Sequence, residues 1–483
     1  MKTVLAAMLA LPAALPAQSE LQRLMDAVQG QTPMIADLRD LTDRVGGRAT
    51  GSPGDRAGVQ WAMERFQSAG VTARSEAFLM PETWLERSAS ATISGGSSFA
   101  ARVAALPFSG ATASAGLAAA LLDGGRGTEA DVARLGVRVR GAWILIESAP
   151  LADLDGLFRE YAETAEIEPR LWAAGAAGVV YQSSRPEGIL ARHNAALGVG
   201  NRKPALMMER AAAGRALRLL RGGAELRLRA SIAVSRTPRA TSHNVIGEIR
   251  GASRPEEIVV VGAHLDSWDL GQGALDNGAN CAMLIDIARQ IVRLGLRPAR
   301  TIRFVLWNGE EQGMIGSWRY TQQHAAELDQ TVLAASFDIG TGDIVGFFTG
   351  GRPEVLAAVN EALAPVRHAT AWQHADVPVV GTDNYDFMMQ GVPNLVALQA
   401  SANYGPNYHA ASDTFDKADT VAMRRNAAIA AAVTWHWANA AQVPRRHSMA
   451  EVEALVERTN LTQQMRSMGD LLLRWNDRTR PAR

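Results

Sequence analysis

The spacing of apolar positions divides the chain into helical and strand-like segments. A predicted helix near the N-terminus has its apolar face at Leu21, Leu24, Met25 and Val28. From residue 243 onwards, short continuous apolar runs that end in polar residues alternate with helical segments. Such runs are typical of buried central strands, and their alternation with helices predicts a largely parallel sheet covered on both faces.

Three further segments complete this picture. Residues 105–235 contain alternating strand-like and helical runs but no group of metal-ligand residue types, and we interpret them as a separate unit. An Ala-rich helix is predicted over about 418–440. Ser448 and Glu451 fit a capping box, which predicts that a final helix begins at Ser448.

The first residues predict export. Lys2 supplies a positive charge, an apolar run from Val4 to Leu15 follows, and Ala17 is a small residue suited to cleavage. We therefore interpret residues 1–17 as a secretory signal, and we expect a periplasmic or secreted protein without a stable membrane anchor.

Composition and charge narrow the function further. The chain has 483 residues, 49 basic and 49 acidic, so its formal net charge is zero, which argues against a nucleic-acid-binding protein. Cys281 is the only cysteine, so an intrachain disulfide is excluded. A length of this order predicts two or three domains.

Polar clusters follow several of the predicted strands, at the edge where open α/β sheets bind ligands. They contain His264 with Asp266, Asp276, the pair Glu310–Glu311, Asp338 and His409. Each cluster alone is ordinary, because a lone histidine or an Asp-Asn-Gly turn usually has a structural role. Together they place carboxylates and imidazoles beside apolar strands, and bound divalent cations would offset the cost of burying them. Mixed nitrogen and oxygen ligands suit zinc.

Five motifs carry a resemblance to a known family: HLDSW, GALDNGAN, NGEEQGMIGS, SFDIG and NYHAASDT. Taken in this order, they resemble the di-zinc aminopeptidases and dipeptidases of peptidase family M28, most closely its carboxypeptidase Q-like branch. The spacing agrees, since Asp276 follows His264 by twelve positions and Asp338 follows Glu311 by twenty-seven. The resemblance covers about residues 30–440.

The resemblance implies an architecture. It implies a three-layer αβα zinc-exopeptidase domain with a mixed, largely parallel sheet, interrupted by a smaller protease-associated (PA)-like domain. The expected division is a signal at 1–17, a discontinuous peptidase domain at 18–104 and 236–447, a PA-like insert at 105–235 and a helical extension at 448–483.

The resemblance also implies roles for individual residues. Two zinc ions per chain would be held, with Asp276 bridging them, by His264, Asp338, Glu311 and His409. Glu310 would be the general base and then the general acid, while a hydroxide that bridges the metals would attack the peptide bond. Asp266 would accept the imidazole N–H of His264, and Asp413 could act in the same way on His409.

Substrate contacts are less defined by the sequence. Asn280, Thr382 and Asn384 depart from the family pattern, and Tyr385, Tyr404 and Tyr408 are candidates for substrate binding by location only. The expected function is a zinc-dependent aminopeptidase or dipeptidase acting on short peptides. The alternatives are a non-catalytic peptide-binding protein and a glutaminyl-cyclase-like acyltransferase. A homodimer is left open, because the helix from Ser448 has an apolar face that could pack on its own domain or on a partner.

Overall fold

The computed structural model describes residues 18–151, 153–192 and 198–480, which form fifteen strands and fifteen α-helices. The proposed signal at 1–17 lies outside the described residues. The strands are β1 (Thr72–Leu79), β2 (Glu82–Gly95), β3 (Phe99–Ala101), β4 (Val103–Ala105), β5 (Leu117–Asp123), β6 (Trp143–Ile146), β7 (Gly178–Gln182), β8 (Ala205–Met208), β9 (Leu226–Pro238), β10 (Thr241–Ile249), β11 (Arg254–His264), β12 (Arg300–Trp307), β13 (Thr331–Ser336), β14 (Ile344–Phe348) and β15 (Asn394–Gln399).

The helices follow the same chain order. They are α1 (Glu20–Gln29), α2 (Met34–Asp40), α3 (Pro53–Ser68), α4 (Glu129–Leu135), α5 (Leu154–Ala173), α6 (Arg210–Arg221), α7 (Ala279–Arg293), α8 (Ile315–Gln323), α9 (Pro353–Ala362), α10 (Tyr385–Met389), α11 (Tyr404–Asn407), α12 (Thr420–Asn439), α13 (Met449–Arg458), α14 (Leu461–Ser467) and α15 (Leu471–Asn476). Among the described residues, no helix combines the length and apolar character that crossing a membrane requires.

The first sheet has seven strands in the order β1-β10-β12-β11-β13-β15-β14. The four neighbours β12, β11, β13 and β15 are parallel, while β1, β10 and β14 join as antiparallel strands. The predicted mixed α/β class is therefore confirmed. The parallel part brings the carboxyl ends of these four strands to one edge, where the loops that bind ligands are expected.

Helices cover both faces of this sheet. Along β11, Val259 and Val261 pack into one apolar cluster with residues of α1, α7 and α12, and Ile258 and Val260 pack into another cluster on the opposite face. Successive strand residues point to opposite faces, so an unbroken apolar run fits a strand that is covered on both sides. The layers are thus helix, sheet, helix.

The second sheet has eight strands in the order β3-β2-β9-β5-β6-β7-β8-β4 and its own apolar core. Its strands run from Glu82 to Pro238, and the long antiparallel pair β2–β9 joins it to the rest of the chain. The assignment of residues 105–235 to a PA-like domain stays a prediction.

The C-terminal segment forms three short helices rather than one long helix. The capping box at Ser448 and Glu451 is present, and α13 ends at Arg458. Gly469 takes a left-handed φ of 58° between α14 and α15, a conformation that does not continue an α-helix. These helices pack on Met314, Val380 and other apolar side chains of the same chain, so their apolar faces are covered within the molecule.

Candidate metal centre

The structure brings the polar clusters together at the carboxyl edge of the first sheet. His264 is the last residue of β11, Glu310 and Glu311 lie in the turn after β12, and Asp338 follows the end of β13. Because these three strands are parallel neighbours, their ends meet at one edge. Asp276 reaches the same place from the loop before α7, and His409 from the loop after α11.

The side chains form two groups of three that share one carboxylate. In the first group, His264 Nε2 lies 3.1 Å from Asp276 Oδ1 and 3.3 Å from Asp338 Oδ1. In the second group, His409 Nε2 lies 3.2 Å from Asp276 Oδ2 and 2.9 Å from Glu311 Oε2. The potential ligand atoms of each group all lie within 4.8 Å of one another. Asp276 therefore presents one oxygen to each group.

Both imidazoles are oriented by main-chain carbonyl groups. His264 Nδ1 lies 2.9 Å from the Asp266 carbonyl oxygen, and His409 Nδ1 lies 3.0 Å from the Arg192 carbonyl oxygen. Because a carbonyl oxygen only accepts, each Nδ1 carries a proton. Nε2 is then the atom that can lose its proton and bind a cation.

The carboxylate of Asp266 makes contacts other than the expected one. This carboxylate lies 3.7 Å from His264 Nδ1, which donates instead to the main-chain carbonyl oxygen of Asp266. Its two oxygens accept a hydrogen bond from the Thr50 hydroxyl at 2.7 Å and one from the Glu310 main-chain N–H at 3.3 Å. Asp266 thus contacts the turn that carries Glu310.

Asp413 also has a different partner from the expected one. Its carboxylate accepts hydrogen bonds from the main-chain N–H groups of Leu275, at 2.7 Å, and Asp276, at 3.1 Å. The position beside His409 Nδ1 that was expected for Asp413 is taken by the carbonyl group of Arg192. Asp413 therefore fixes the backbone of the shared carboxylate.

Three buried oxygens of the second group have no well-directed hydrogen bond from any described residue: Asp276 Oδ2, Glu311 Oε1 and Glu311 Oε2. His409 Nε2 lies close to two of them without the geometry of a hydrogen bond. Buried carboxylate oxygens without partners are costly, and a divalent cation between them would remove that cost. The residues of the second group therefore fit a divalent cation.

The electrostatics of the site reflect this crowding. Burial raises the pKa of Glu311 to about 7 and that of Glu310 well above its ordinary value. Burial alone would lower the pKa of His409, but the negative charge of Glu311 raises it to about 9. Without cations the site thus holds protons that metal binding would displace.

Glu310 belongs to neither group of three and lines a cavity of about 600 Å³ that also reaches His264 and His409. Gly309 precedes it with a φ of 75°, and a Cβ atom there would lie 2.8 Å from the Met80 sulfur. The tight turn therefore requires glycine, and it places Glu310 beside the ligand groups without occupying a ligand position.

The walls of the cavity come from three parts of the chain. The sheet edge contributes the candidate ligands, α5 contributes Leu157 and Tyr161, and the C-terminal segment contributes Met468 and Leu471. Because the second sheet's helix and the C-terminal segment both line it, a substrate in the cavity would contact residues far outside the polar motifs.

The three candidate tyrosines are placed differently. Tyr404 and Tyr408 line the cavity, and the Tyr408 ring stacks on His409 with ring centres 3.6 Å apart. Tyr385 is buried in the core beneath the C-terminal helices, where its hydroxyl donates to the Met465 sulfur at 3.2 Å.

Several residues that support the site were not identified from the sequence. The fully buried Arg48 donates to the carbonyl groups of Leu265 at 2.6 Å, Gln272 at 2.7 Å and Gly273 at 2.8 Å, and so joins the loops on either side of the ligands. Thr50, Tyr161 and Arg192 also contact residues of the site and were not identified from the sequence. These residues are isolated in the sequence, and no local pattern marks them.

Cys281 lies directly behind His264. Its thiol donates to the His264 carbonyl oxygen at 3.0 Å, and burial raises the pKa of this thiol to about 12. The sulfur is therefore protonated at neutral pH. Its hydrogen bond is with the main chain of His264 and not with the imidazole ring.

The described residues form an α/β protein with two groups of candidate metal ligands at the carboxyl edge of its central sheet. Residues 244–434, which contain all five candidate ligands, match the model of Peptidase family M28. The resemblance of this chain to peptidase family M28 is thereby confirmed.

The chain is also similar to curated proteins named carboxypeptidase Q. Residues of this chain are 37% identical over 201 residues to carboxypeptidase Q of Xenopus laevis, and 35% identical over 201 residues to that of Homo sapiens. Each match covers 41% of this chain and 42% of the relative, so the matched segment spans less than half the length of these curated proteins.

Solved structures extend the similarity over most of the chain. The crystal structure of a peptidase M28 precursor from Shewanella amazonensis SB2B has a TM-score of 0.79 and 27% identity, and the match covers 89% of this chain and 98% of that one. The zinc aminopeptidase BSAP from Bacillus subtilis shares the fold, with a TM-score of 0.68 and 18% identity over 88% of this chain and 98% of that one.

Proposed function

We propose that this protein is a metal-dependent exopeptidase that hydrolyses the peptide bonds of short peptides as an aminopeptidase or a dipeptidase. The observation that carries the proposal is the pair of ligand groups that share Asp276 and open into a cavity of about 600 Å³. The match of residues 244–434 to Peptidase family M28 supports it, as do relatives named carboxypeptidase Q.

We assign the five ligands to two zinc ions per chain. His264 and Asp338 would hold one ion, Glu311 and His409 the other, and Asp276 would bridge them. Imidazole and carboxylate donors without thiolate suit zinc, and paired ions that share a carboxylate are common in hydrolytic sites. When bound, the two cations would polarise the scissile carbonyl group and lower the pKa of the attacking water.

Glu310 is the residue placed to move the proton. It lines the cavity, is not needed as a ligand, and is buried enough that the pKa of its carboxyl group is raised well above the ordinary value. A carboxylate in this position can accept a proton from water and return it to the leaving amine. Asp266, which accepts the Glu310 N–H, would act as a positioning residue for this turn.

The proposal extends to location and domain organisation. The N-terminal sequence pattern supports export to the periplasm or the medium. The separate second sheet and its core support an inserted, PA-like unit within a discontinuous peptidase domain, followed by a C-terminal helical extension.

The test uses the chain without residues 1–17. Its metal content is measured, and it is assayed on dipeptides and aminoacyl anilides before and after chelation. We expect about two zinc ions per chain and cleavage that chelation abolishes and zinc restores. Hydrolysis of dipeptides alone would identify a dipeptidase, and release of aniline would identify an aminopeptidase.

Other outcomes would replace the proposal. Metal binding without cleavage of any substrate would favour a non-catalytic peptide-binding protein, or a glutaminyl-cyclase-like acyltransferase if N-terminal glutamine is cyclised. Correctly folded protein that binds no zinc would contradict the ligand assignment.

A further inference from the structure

A short segment of the second-sheet region lies against the loop that carries His409. The Arg192 N–H donates to the His409 carbonyl oxygen at 2.8 Å, and the Ala411 N–H donates to the Leu190 carbonyl oxygen at 2.9 Å. Ala191 and Ala410 pair between them as an antiparallel bridge. The two segments thus hold each other as short strands do, although more than two hundred positions separate them in the sequence.

The same segment binds the imidazole ring itself. His409 Nδ1 donates to the Arg192 carbonyl oxygen at 3.0 Å, so Arg192 both donates to and accepts from one residue. A hydrogen bond of this kind fixes which ring nitrogen carries the proton and where the other one points. For His409, that other nitrogen faces Asp276 and Glu311.

Arg192 is itself firmly anchored. Its buried guanidinium group donates to Glu86 at 2.6 Å, to the Ala105 carbonyl oxygen at 2.7 Å and to Asp269 at 2.9 Å. Two carboxylates and a carbonyl group thus fix the side chain, and through it the carbonyl group that accepts from His409.

Arg185 and Tyr161 also form hydrogen bonds with the loop that carries His409. Arg185 donates through Nε to the Tyr408 carbonyl oxygen at 3.1 Å, and the hydroxyl groups of Tyr161 and Tyr408 are 2.7 Å apart. The Tyr408 ring in turn stacks on the ring of His409. The imidazole is therefore held at an edge by Arg192 and on a face by Tyr408.

The backbone of His409 needs such support. Its φ is 54°, in the left-handed region that residues other than glycine rarely adopt. A residue persists in this conformation only where its surroundings determine it strongly. The described contacts of residues 185–192 supply that determination from outside the M28-like motifs.

We propose that residues 185–192, which we name the clamp, position the metal ligand His409, so that zinc binding by Asp276, Glu311 and His409 depends on the second-sheet region. This inference rests on the proposed function, because it takes these three residues as zinc ligands. It gives the second sheet a role in the metal site itself and makes Arg192 a positioning residue.

Reciprocity supplies a test on the unaltered chain. If the clamp increases zinc affinity, zinc must stabilise the clamp by the same free energy. Hydrogen–deuterium exchange is therefore measured by mass spectrometry on chelated protein and on protein loaded with zinc alone. We expect slower exchange in peptides from 185–192 as well as in those from 409–413, with β9 as the internal reference that does not change.

A matched pair of variants tests the anchor. Arg192→Met removes the contacts with Glu86, Asp269 and Ala105, while Arg221→Met removes a guanidinium group that also binds two carboxylates, Asp123 and Glu147, within the second-sheet region. In competition with a chromophoric chelator, we expect Arg192→Met to lower the affinity for one of the two zinc ions by roughly 10- to 100-fold and Arg221→Met to leave both unchanged.

The outcomes separate this inference from the function beneath it. Two zinc ions bound to Arg192→Met with unchanged affinity would overturn the clamp, as would zinc protection confined to 409–413. If Arg192→Met does not fold, the exchange experiment on the unaltered chain decides. If that chain binds no zinc, the proposed function fails and the clamp falls with it.

Discussion

The carboxylate of Asp413 holds the backbone of Asp276 across 137 positions of sequence, through hydrogen bonds from Leu275 N–H at 2.7 Å and Asp276 N–H at 3.1 Å. One acidic residue thus fixes the loop on which the shared ligand is carried. Both of its oxygens are used, so an amide cannot replace it: the NH₂ group would face an N–H donor.

From this relationship we predict that Asp413→Asn lowers zinc affinity by roughly 10- to 100-fold while the fold is retained. A competition titration with a chromophoric chelator measures the affinity. Asp416→Asn is the control, because Asp416 lies nearby but is exposed and its carboxylate bonds to Thr414 and Lys417. Equal affinities for the two variants would contradict this role for Asp413.

Variants of the adjacent residues Glu310 and Glu311 should distinguish a role in proton transfer from a role in metal binding. Glu310→Gln should lower kcat by roughly 10²- to 10⁴-fold with zinc content unchanged, because it removes only the proton acceptor. Glu311→Gln should instead lose one zinc ion. Metal analysis and steady-state kinetics on both variants decide the assignment, and full activity of Glu310→Gln would exclude this residue as the general base.

Thr382 is among the residues that line the cavity, and its buried hydroxyl group has no hydrogen bond from or to a described residue. We expect this group to bond substrate. Thr382→Val keeps the shape of the side chain and should raise KM by roughly 2- to 10-fold, the value of one ordinary hydrogen bond. Thr382→Ser, which keeps the hydroxyl group, is the matched control, and a Val variant with the KM of the original chain would exclude the contact.

The buried pair Arg480–Asp386 anchors the C-terminal helices beside the turn that carries Glu310 and Glu311. Arg480 donates to both Asp386 oxygens, at 2.9 and 2.7 Å, and to the carbonyl groups of Gly313 and Met314. Arg480→Met should lower the free energy of unfolding by about 3–5 kcal/mol, because it leaves a buried carboxylate unpaired.

Urea denaturation of this variant is compared with that of Arg478→Met, whose guanidinium group contacts Glu453 at the surface. The surface change should cost at most about 1 kcal/mol. Adding Asp386→Leu to Arg480→Met should recover part of the loss. Equal midpoints for the two single variants would count against the anchoring role.

Glu168 should make stability depend on pH. It is buried in α5, the Tyr181 hydroxyl lies 3.3 Å from one oxygen, and burial raises the pKa of its carboxyl group from 4.5 to about 8. The folded state therefore holds this proton more tightly than the unfolded state. Its contribution to stability is present below about pH 4.5 and is lost as pH rises to about 8.

Glu168→Gln removes this dependence, so the variant should gain stability relative to the original chain between pH 5 and pH 8.5, by roughly a few kcal/mol. Urea midpoints at both pH values measure the difference. Glu163→Gln, on the exposed face of the same helix, should show no such gain. If the difference in stability between Glu168→Gln and the original chain is the same at both pH values, the pKa of this carboxyl group lies near its ordinary value.

Much of the fold and the ligand groups could be predicted because the information is local. The apolar runs of β11, β12 and β13 each end at a polar residue, and parallel strands bring those ends to one edge. The supporting contacts could not be predicted in this way. The partner of His409 Nδ1 is a main-chain carbonyl 217 positions away, and any residue type supplies a carbonyl group.

The same reason explains the different contacts of Asp266 and Asp413. The sequence shows an acidic residue near each histidine, which favours a carboxylate–imidazole pair. In the structure, both imidazole groups donate to main-chain carbonyl oxygens. The carboxylates of Asp266 and Asp413 accept hydrogen bonds from main-chain N–H groups. Residue type indicates an acceptor near the site but not which donor it meets.

The thiol of Cys281 has a consequence for which ions this protein accepts. Thiolate is the soft donor that favours zinc and copper(I), and the single cysteine of this chain stays protonated behind His264. Ion selection at the site is thus left to imidazole and carboxylate groups. Donors of this kind also accommodate manganese, so the ion present would follow the supply of metals around the protein as much as the preference of its ligands.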